Sequence, residues 1–182
     1  MQQSSVLVKP LSAEIMKKAL SRLDELLEKE VSLVIGGGGA MILAHGFPLS
    51  TMDIDAIPKG MDVAALDPLV KRIAVEQGLP PDWLNPYFSS FGHTLPTDYG
   101  DRLVEVFKGR LLRAEALGKN EMLIMKCFAH RQKDVGHARS LISGGADVKF
   151  VEAHMMGLLE RKIPGSRQAL DFLDDVLDQE SP

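Results

Sequence analysis

The apolar positions of this chain change period along its length. From Ser12 to Glu30 they recur at helical spacing, with Ile15, Ala19, Leu20, Leu23, Leu26 and Leu27 on one side and charges between them. That pattern predicts an amphipathic helix with Ser12 as its N-cap. Val31 to Ile35 is a short β-branched apolar run, the signature of a buried strand. Four glycines, Gly36 to Gly39, follow it, and Ala40 to His45 then predicts a short helix closed by Gly46 and Pro48. From Thr51 to Ile57 the residues Met52, Ile54 and Ala56 alternate with Thr51, Asp53 and Asp55, the period of a second strand, which Pro58 and Gly60 end. Asp62 to Gln77 predicts a second amphipathic helix, with Pro68 near enough to its start to be tolerated.

The stretch from Gly78 to Gly100 holds four prolines and reads as an irregular connection with a short helical turn around Trp83. Arg102–Phe107 and Arg110–Ala114 predict a hairpin turning at Lys108-Gly109. Beyond Leu117 the spacing is helical, over Lys119–Lys133, Val135–Ser143, Val148–Arg161 and Ser166–Gln179, with Gly144-Gly145 and Pro164-Gly165 as breaks. The expected organisation is α+β: a mixed α/β core over residues 1–117 and a helical region over residues 118–182.

Composition narrows the class. The 182 residues are 45% hydrophobic and 25% charged, as in a globular domain able to bury a core without cross-links. A lone cysteine, Cys127, excludes an internal disulfide and favours a reducing compartment. Met1 to Lys9 lacks the basic head and apolar core of a signal peptide, and no run approaches the roughly 18 apolar residues of a membrane span. A cytoplasmic protein without a membrane partner is therefore expected. The net charge of −4 lacks the basic excess of a strong nucleic-acid binder, although Lys126, Arg131, Lys133 and Arg139 form a local basic cluster.

The candidate chemistry lies in the first two strands. Alternate strand residues share a face, so Asp53 and Asp55 project together while Ile54 points inward. Paired carboxylates repel unless a cation or a shared proton intervenes. Magnesium, a hard ion usually found beside phosphates, meets that need, with manganese as a substitute. Gly36, Gly37 and Gly38 carry no Cβ and lie between a strand and a helix start, where free N–H groups bind an anion such as a nucleotide phosphate. The chain lacks the Gly-Lys-Ser/Thr ending of a Walker loop. Gly36 and Gly38 match part of the dinucleotide fingerprint, Met41 stands at its third glycine, and Asp55 lies near the ribose-acid position about 20 residues on. A dinucleotide-binding oxidoreductase therefore stays open as an alternative.

A second constellation follows on the helix after Leu117. Lys126, His130, Asp134 and His137 recur every three or four residues and share one face if that helix runs on. Lys126 would then offset triphosphate charge, and Asp134 would orient Lys126 or a substrate hydroxyl. Cys127 with His130 makes a poor soft-metal pair, because no second thiol accompanies it.

The segment Val34-Ile-Gly-Gly-Gly-Gly-Ala-Met-Ile-Leu-Ala-His-Gly46, followed by Thr51-Met-Asp-Ile-Asp55, resembles the polymerase-β-type nucleotidyltransferase superfamily. More narrowly it resembles the AbiEii-like branch, which includes toxins of toxin–antitoxin systems. The later Lys126 and Arg131-Gln-Lys-Asp134 match the Lys and Arg-Lys-Asp-like segment of that branch, so the resemblance covers roughly Val31 to Leu141. It implies a nucleotidyltransferase-like mixed sheet flanked by helices, magnesium on Asp53 and Asp55, and an NTP whose phosphates rest on the glycines and Lys126. The implied reaction is nucleotidyl transfer to an unidentified hydroxyl of tRNA or other RNA, a protein or a small molecule; a toxin role would bring an antitoxin partner. The chain departs from the pattern at Leu49-Ser50, where an Arg is common, and at His137, where a second Asp is frequent. The third carboxylate of the superfamily has Glu105 as its natural candidate, since it interrupts Leu103-Val-Glu-Val-Phe107, with Asp98 and Asp101 as alternatives. Loss of that acid would give a catalytically inactive nucleotide-binding or partner-binding protein of the same fold.

Overall fold

The computed structural model describes residues 9–47, 50–59, 61, 63–85 and 92–179. The stretch before Lys9 lies outside them, as do Pro48, Leu49, Gly60 and Asp62. Among the described residues the chain forms five strands and seven α-helices. The strands are β1 (Val31–Gly36), β2 (Ile54–Lys59), β3 (Leu84–Asn85), β4 (Val104–Lys108) and β5 (Leu112–Ala116). They make one mixed sheet in the order β3-β2-β1-β5-β4. β1 runs antiparallel to β2 and parallel to β5, β2 runs parallel to β3, and β4 and β5 form the hairpin. The helices are α1 (Ala13–Leu26), α2 (Gly37–His45), α3 (Val63–Gln77), α4 (Lys119–Ala129), α5 (Asp134–Ser143), α6 (Val148–Glu160) and α7 (Ser166–Asp178). This is the α+β, nucleotidyltransferase-like arrangement. No helix is long and apolar enough to cross a membrane among the described residues.

Local chemistry explains most element ends. Ser12 caps α1 as expected, its Oγ accepting from the Ile15 N–H at 3.3 Å, and Gly46 closes α2 in the left-handed region at φ 64°. Strand β2 begins at Ile54 rather than Thr51, because Thr51 instead bridges to Leu11. It also runs through Pro58 to Lys59. β3 pairs only with Ile54 and Asp55, so at Pro58 the strand has a neighbour on one side only, where a missing N–H need cost no ladder bond. The predicted irregular stretch contains β3 beside the buried Trp83, whose indole N–H donates to the Val70 carbonyl at 2.9 Å. The hairpin turn is held from outside: Asp24 of α1 accepts backbone N–H groups from Arg110, Leu111 and Leu112 at 2.7–2.9 Å.

One apolar core runs through the molecule, from Leu11 and Leu20 through Leu33, Ile35 and Ile54 to Leu123, Val151 and Leu173. Helices α4, α6 and α7 pack on one another, and α2 lies between the sheet and α4. This places the N-terminal end of α2, the start of β2 and the C-terminal end of α4 around a single cavity.

Candidate active site

The glycine run is not a loop. β1 ends at Gly36, and α2 starts at Gly37, three residues earlier than the apolar spacing predicts. Three of the four glycines have their own reason for lacking a side chain. Gly37 adopts φ +57°, and a Cβ there would lie 2.6 Å from Asp55 Oδ2. A Cβ on Gly38 would lie 3.0 Å from Thr51 Oγ1. Gly39 packs helix on sheet: its Cβ would press on Ile54 and Ile35 at 3.2 and 3.3 Å. Gly36 sits in the ladder opposite Asp55. Gly37 and Gly38 therefore bring the first turn of α2, with its unpaired N–H groups, close to the acids of β2.

The cavity there has a volume of about 390 Å³. Gly37, Gly38, Ser50 and Thr51 line it beside Asp53 and Asp55; Lys126, Arg131 and Lys133 line it as cations, and Met41, Ile42 and Phe47 give it an apolar wall. The carboxyl of Asp55 is pushed up to about 6, first by burial and then by the charge of Asp53, with Lys126 and Arg131 opposing. A carboxylate in that state favours a nearby cation. Magnesium binds through one or two carboxylates and completes its shell with phosphate oxygens and water. The Asp53–Asp55 pair therefore fits such an ion in company with a nucleotide, although no group of three or more His, Cys, Asp or Glu side chains gathers as a metal cage among the described residues.

The cationic wall is built differently from the single helix face the spacing predicts. α4 stops at Ala129, and His130 turns the chain through the left-handed region at φ 37°, its Nδ1 bonded to the Phe128 carbonyl at 2.8 Å. The chain reverses and Asp134 opens α5. Asp134 is fully buried; Lys126 Nζ donates to its Oδ1 at 3.2 Å and Arg131 Nε to its Oδ2 at 2.6 Å. Burial pushes the Asp134 carboxyl upward, but the Arg131 and Lys126 cations outweigh this and hold it below the ordinary carboxylate value. For Lys126 burial wins, and its pKa lies below the ordinary lysine value despite Asp134. His137 stands 3.7 Å from Asp134 Oδ1 and edge-on to Phe47, with ring centroids 4.9 Å apart. Burial and the Lys126 charge lower its pKa, so it is neutral at pH 7.

Glu105, the expected third carboxylate, is elsewhere. It lies on the edge strand β4, 44% exposed, and pairs with Arg113 at 3.0 Å. It interrupts an apolar run because β4 is an edge strand whose first two residues, Val104 and Glu105, are both exposed although they point to opposite faces. Asp98 pairs with Arg102 and Asp101 is exposed; neither lines the cavity. In the sheet Asp55 stands between Gly36 of β1 and Asn85 of β3. Cys127 is buried away from the cavity, its thiol pushed up to about 12. The spacing gave no sign of Thr51, Phe47 and Met41 as lining residues; the positions i, i+3 and i+4 from Gly38 along α2, which include Met41 and Ile42, were the available signal.

The oxidoreductase alternative fails on topology. A dinucleotide-binding unit needs two parallel strands joined through its helix, whereas the strands flanking α2 are antiparallel. A family model described as "Nucleotidyltransferase of unknown function (DUF6036)" matches residues 13–164. No curated protein and no solved structure matches the chain.

Proposed function

The chain belongs to this family of nucleotidyltransferases, and from that premise we propose that its cavity binds an NTP and transfers the nucleotidyl group to a hydroxyl. One observation carries the proposal: a single cavity opposes the Asp53–Asp55 pair to Lys126, Arg131 and Lys133, with the first turn of α2 at Gly37 and Gly38 also lining it. Such a charge distribution suits a metal-bound triphosphate. Asp53 and Asp55 would hold magnesium, which when bound supplies charge stabilisation at the phosphates. Gly37 and Gly38 admit phosphate oxygens to the N–H groups of α2. Lys126, Arg131 and Lys133 neutralise the departing pyrophosphate, and Asp134 fixes the positions of Lys126 and Arg131. Met41, Ile42 and Phe47 offer the base or ribose an apolar surface.

In the reaction the acceptor oxygen bonds to the α-phosphorus as the bond from that phosphorus to the pyrophosphate oxygen breaks. The hydroxyl proton passes to the Asp53–Asp55 pair, the carboxylates that line the cavity. Catalysis on this plan is positioning and charge stabilisation. The AbiEii-like likeness of the glycine and Asp-x-Asp segments extends the proposal to a toxin-like role with an antitoxin partner, and to tRNA, protein or a small molecule as acceptor.

A second reading, an inactive nucleotide binder, draws on one observation: two carboxylates and not three line the cavity among the described residues. Titration with each of the four NTPs, with and without magnesium, beside pyrophosphate release with total RNA as acceptor, separates the two. Magnesium-dependent binding with release, both lost in Asp53→Ala, is the expected result. Binding without release supports the second reading, and no binding of any NTP refutes both.

A further inference from the structure

His137 joins two walls of the candidate active-site cavity. It lies one turn into α5 and lines the cavity. On one side its Nδ1 stands 3.7 Å from Asp134 Oδ1, on the carboxylate that gathers Lys126 and Arg131. On the other its ring meets Phe47 of the apolar wall edge-on, with centroids 4.9 Å apart. Its side chain is 12% exposed, and the cavity is where it opens.

These neighbours fix the tautomer of the ring. Nδ1 is buried and makes no hydrogen bond. The charged atom it faces is a carboxylate oxygen, which only accepts and would repel a lone pair turned toward it. The ring proton therefore sits on Nδ1. Burial, and then the charge of Lys126, keep the ring neutral; Arg131 and Lys133 act with Lys126, and Asp134 opposes them. Nε2 is left with the lone pair. It bonds to no described residue and is not sealed off as Nδ1 is.

A neutral acceptor in a wall of cations needs a ligand that brings it a donor. Phosphate oxygens at neutral pH only accept, so they rest on Lys126, Arg131 and Lys133 and not on Nε2. A metal is not the partner, because no group of three or more His, Cys, Asp or Glu side chains gathers to hold one among the described residues. In a nucleotide the ribose lies between the phosphates and the base. His137 likewise stands between the cations and the apolar wall of Phe47. A ribose hydroxyl is the donor that this position meets.

We propose that His137 is a specificity-determining residue of this site, its Nε2 accepting a hydrogen bond from the 2′- or 3′-hydroxyl of the nucleotide's ribose. The inference rests on the nucleotide reading and adds a sugar preference to it. A sugar without that hydroxyl leaves Nε2 desolvated and unpaired. Asp134 then serves twice, holding Lys126 and Arg131 in place and setting the tautomer of His137.

The test is calorimetric titration of the full chain, in magnesium, with ATP, GTP, CTP and UTP and with the 2′-deoxy and 3′-deoxy forms of each. At least one deoxy form should bind about fivefold or more weakly than its parent, and which one identifies the hydroxyl. His137→Asn reaches only as far as Nδ1. It should lower the affinity for the parent NTP to that of this deoxy form and leave the deoxy form's affinity unchanged. His137→Gln sets an amide oxygen near the position of Nε2 and should keep the preference. In long-range ¹H–¹⁵N spectra of the free protein, Nε2 of His137 should resonate as an unprotonated nitrogen. It should move upfield with the parent NTP and stay in place with that deoxy form. The wild-type titrations and spectra need no variant to fold. Equal binding of the parent and both deoxy forms by the wild type, a preference that survives His137→Asn, or a proton found on Nε2 in the free protein would each overturn the inference and leave nucleotide binding standing. So would a His137→Asn variant that alters the choice among the four bases and not among the sugars, since the base would then be the donor. If no nucleotide binds at all, the nucleotide reading itself fails, and this inference falls with it.

Discussion

Replacing Asp55 with Asn should make the metal-free protein more stable while destroying its activity. The carboxyl of Asp55 is raised from 3.8 to about 6 by burial and by Asp53, with the attraction of Lys126 and Arg131 already included in that balance. The sign follows from proton linkage. Between those two values the folded chain still holds a proton that the unfolded chain has released, so stability falls as pH rises through that window and is level above it. A shift of this size is worth about 3 kcal/mol at pH 7.5 at most, and partial exposure of the side chain reduces it to roughly 1–2 kcal/mol. Asn keeps the shape and removes the charge. Urea unfolding in EDTA, read by CD or by fluorescence of the single buried Trp83, should show Asp55→Asn gaining that amount at pH 7.5. In melting temperature the gain is roughly 2–8 °C. The gain should shrink toward zero near pH 4, where wild-type Asp55 is itself protonated. Magnesium with NTP should stabilise the wild type and leave the variant unmoved. A variant less stable than wild type at pH 7.5, or a gain of equal size at pH 4, would refute the reasoning, since either would mean that burial and Asp53 do not disfavour the charged form of Asp55.

Other outcomes follow from the same geometry. Gly37→Ala meets both a left-handed backbone and Asp55 Oδ2 at 2.6 Å, so it should cost about 1–2 kcal/mol from the backbone alone and weaken NTP binding at least tenfold by calorimetry. Asp134→Asn leaves Lys126 buried without its counter-charge and should destabilise by about 3–5 kcal/mol in urea unfolding. Because the Asp134 carboxyl lies below its ordinary value in the folded chain, the stability it contributes is present above pH 4 and lost as pH falls through the folded value; the variant should lack that part of the acid sensitivity. Cys127, buried and with its thiol pushed up to about 12, should resist a disulfide reagent at pH 8 in the native protein and react at once in urea; rapid native labelling would contradict its burial.

What was legible in the sequence was what neighbouring residues decide. Ser12 and the apolar period gave α1, β-branched residues gave β1, and alternation around Ile54 gave β2 with its two acids. Non-local pairing stayed hidden. Glu105 interrupts an apolar strand, which is a correct observation, but only the strand order shows that β4 is an edge. Asn85 belongs to a two-residue strand in a proline-rich stretch, and nothing local predicts that it pairs with Asp55. The glycine run was legible as a place of close backbone approach, but not as three different packing demands, since those come from Asp55, Thr51 and Ile54 across the sheet.

The Lys126–Asp134 pair shows how a right grouping can rest on the wrong geometry. Spacing of three and four residues places Lys126, His130, Asp134 and His137 on one stripe of an unbroken helix. Along such a helix Lys126 and Asp134 would stand about 12 Å apart, beyond any direct contact. They touch at 3.2 Å because the helix ends: His130 turns the chain back, and α5 brings Asp134 under Lys126. The same reversal carries Arg131 to the cavity beside Lys133, whereas a continuous helix would have wound Arg131 onto another face. No glycine or proline marks the break at His130, and the helical spacing places it four residues later, at Asp134. The turn persists because the buried carboxylate at its far end gathers the Arg131 side chain, the Arg131 N–H and the Lys126 ammonium. The break at His130 is therefore what assembles the cationic wall, and with it the half of the site that faces the two acids.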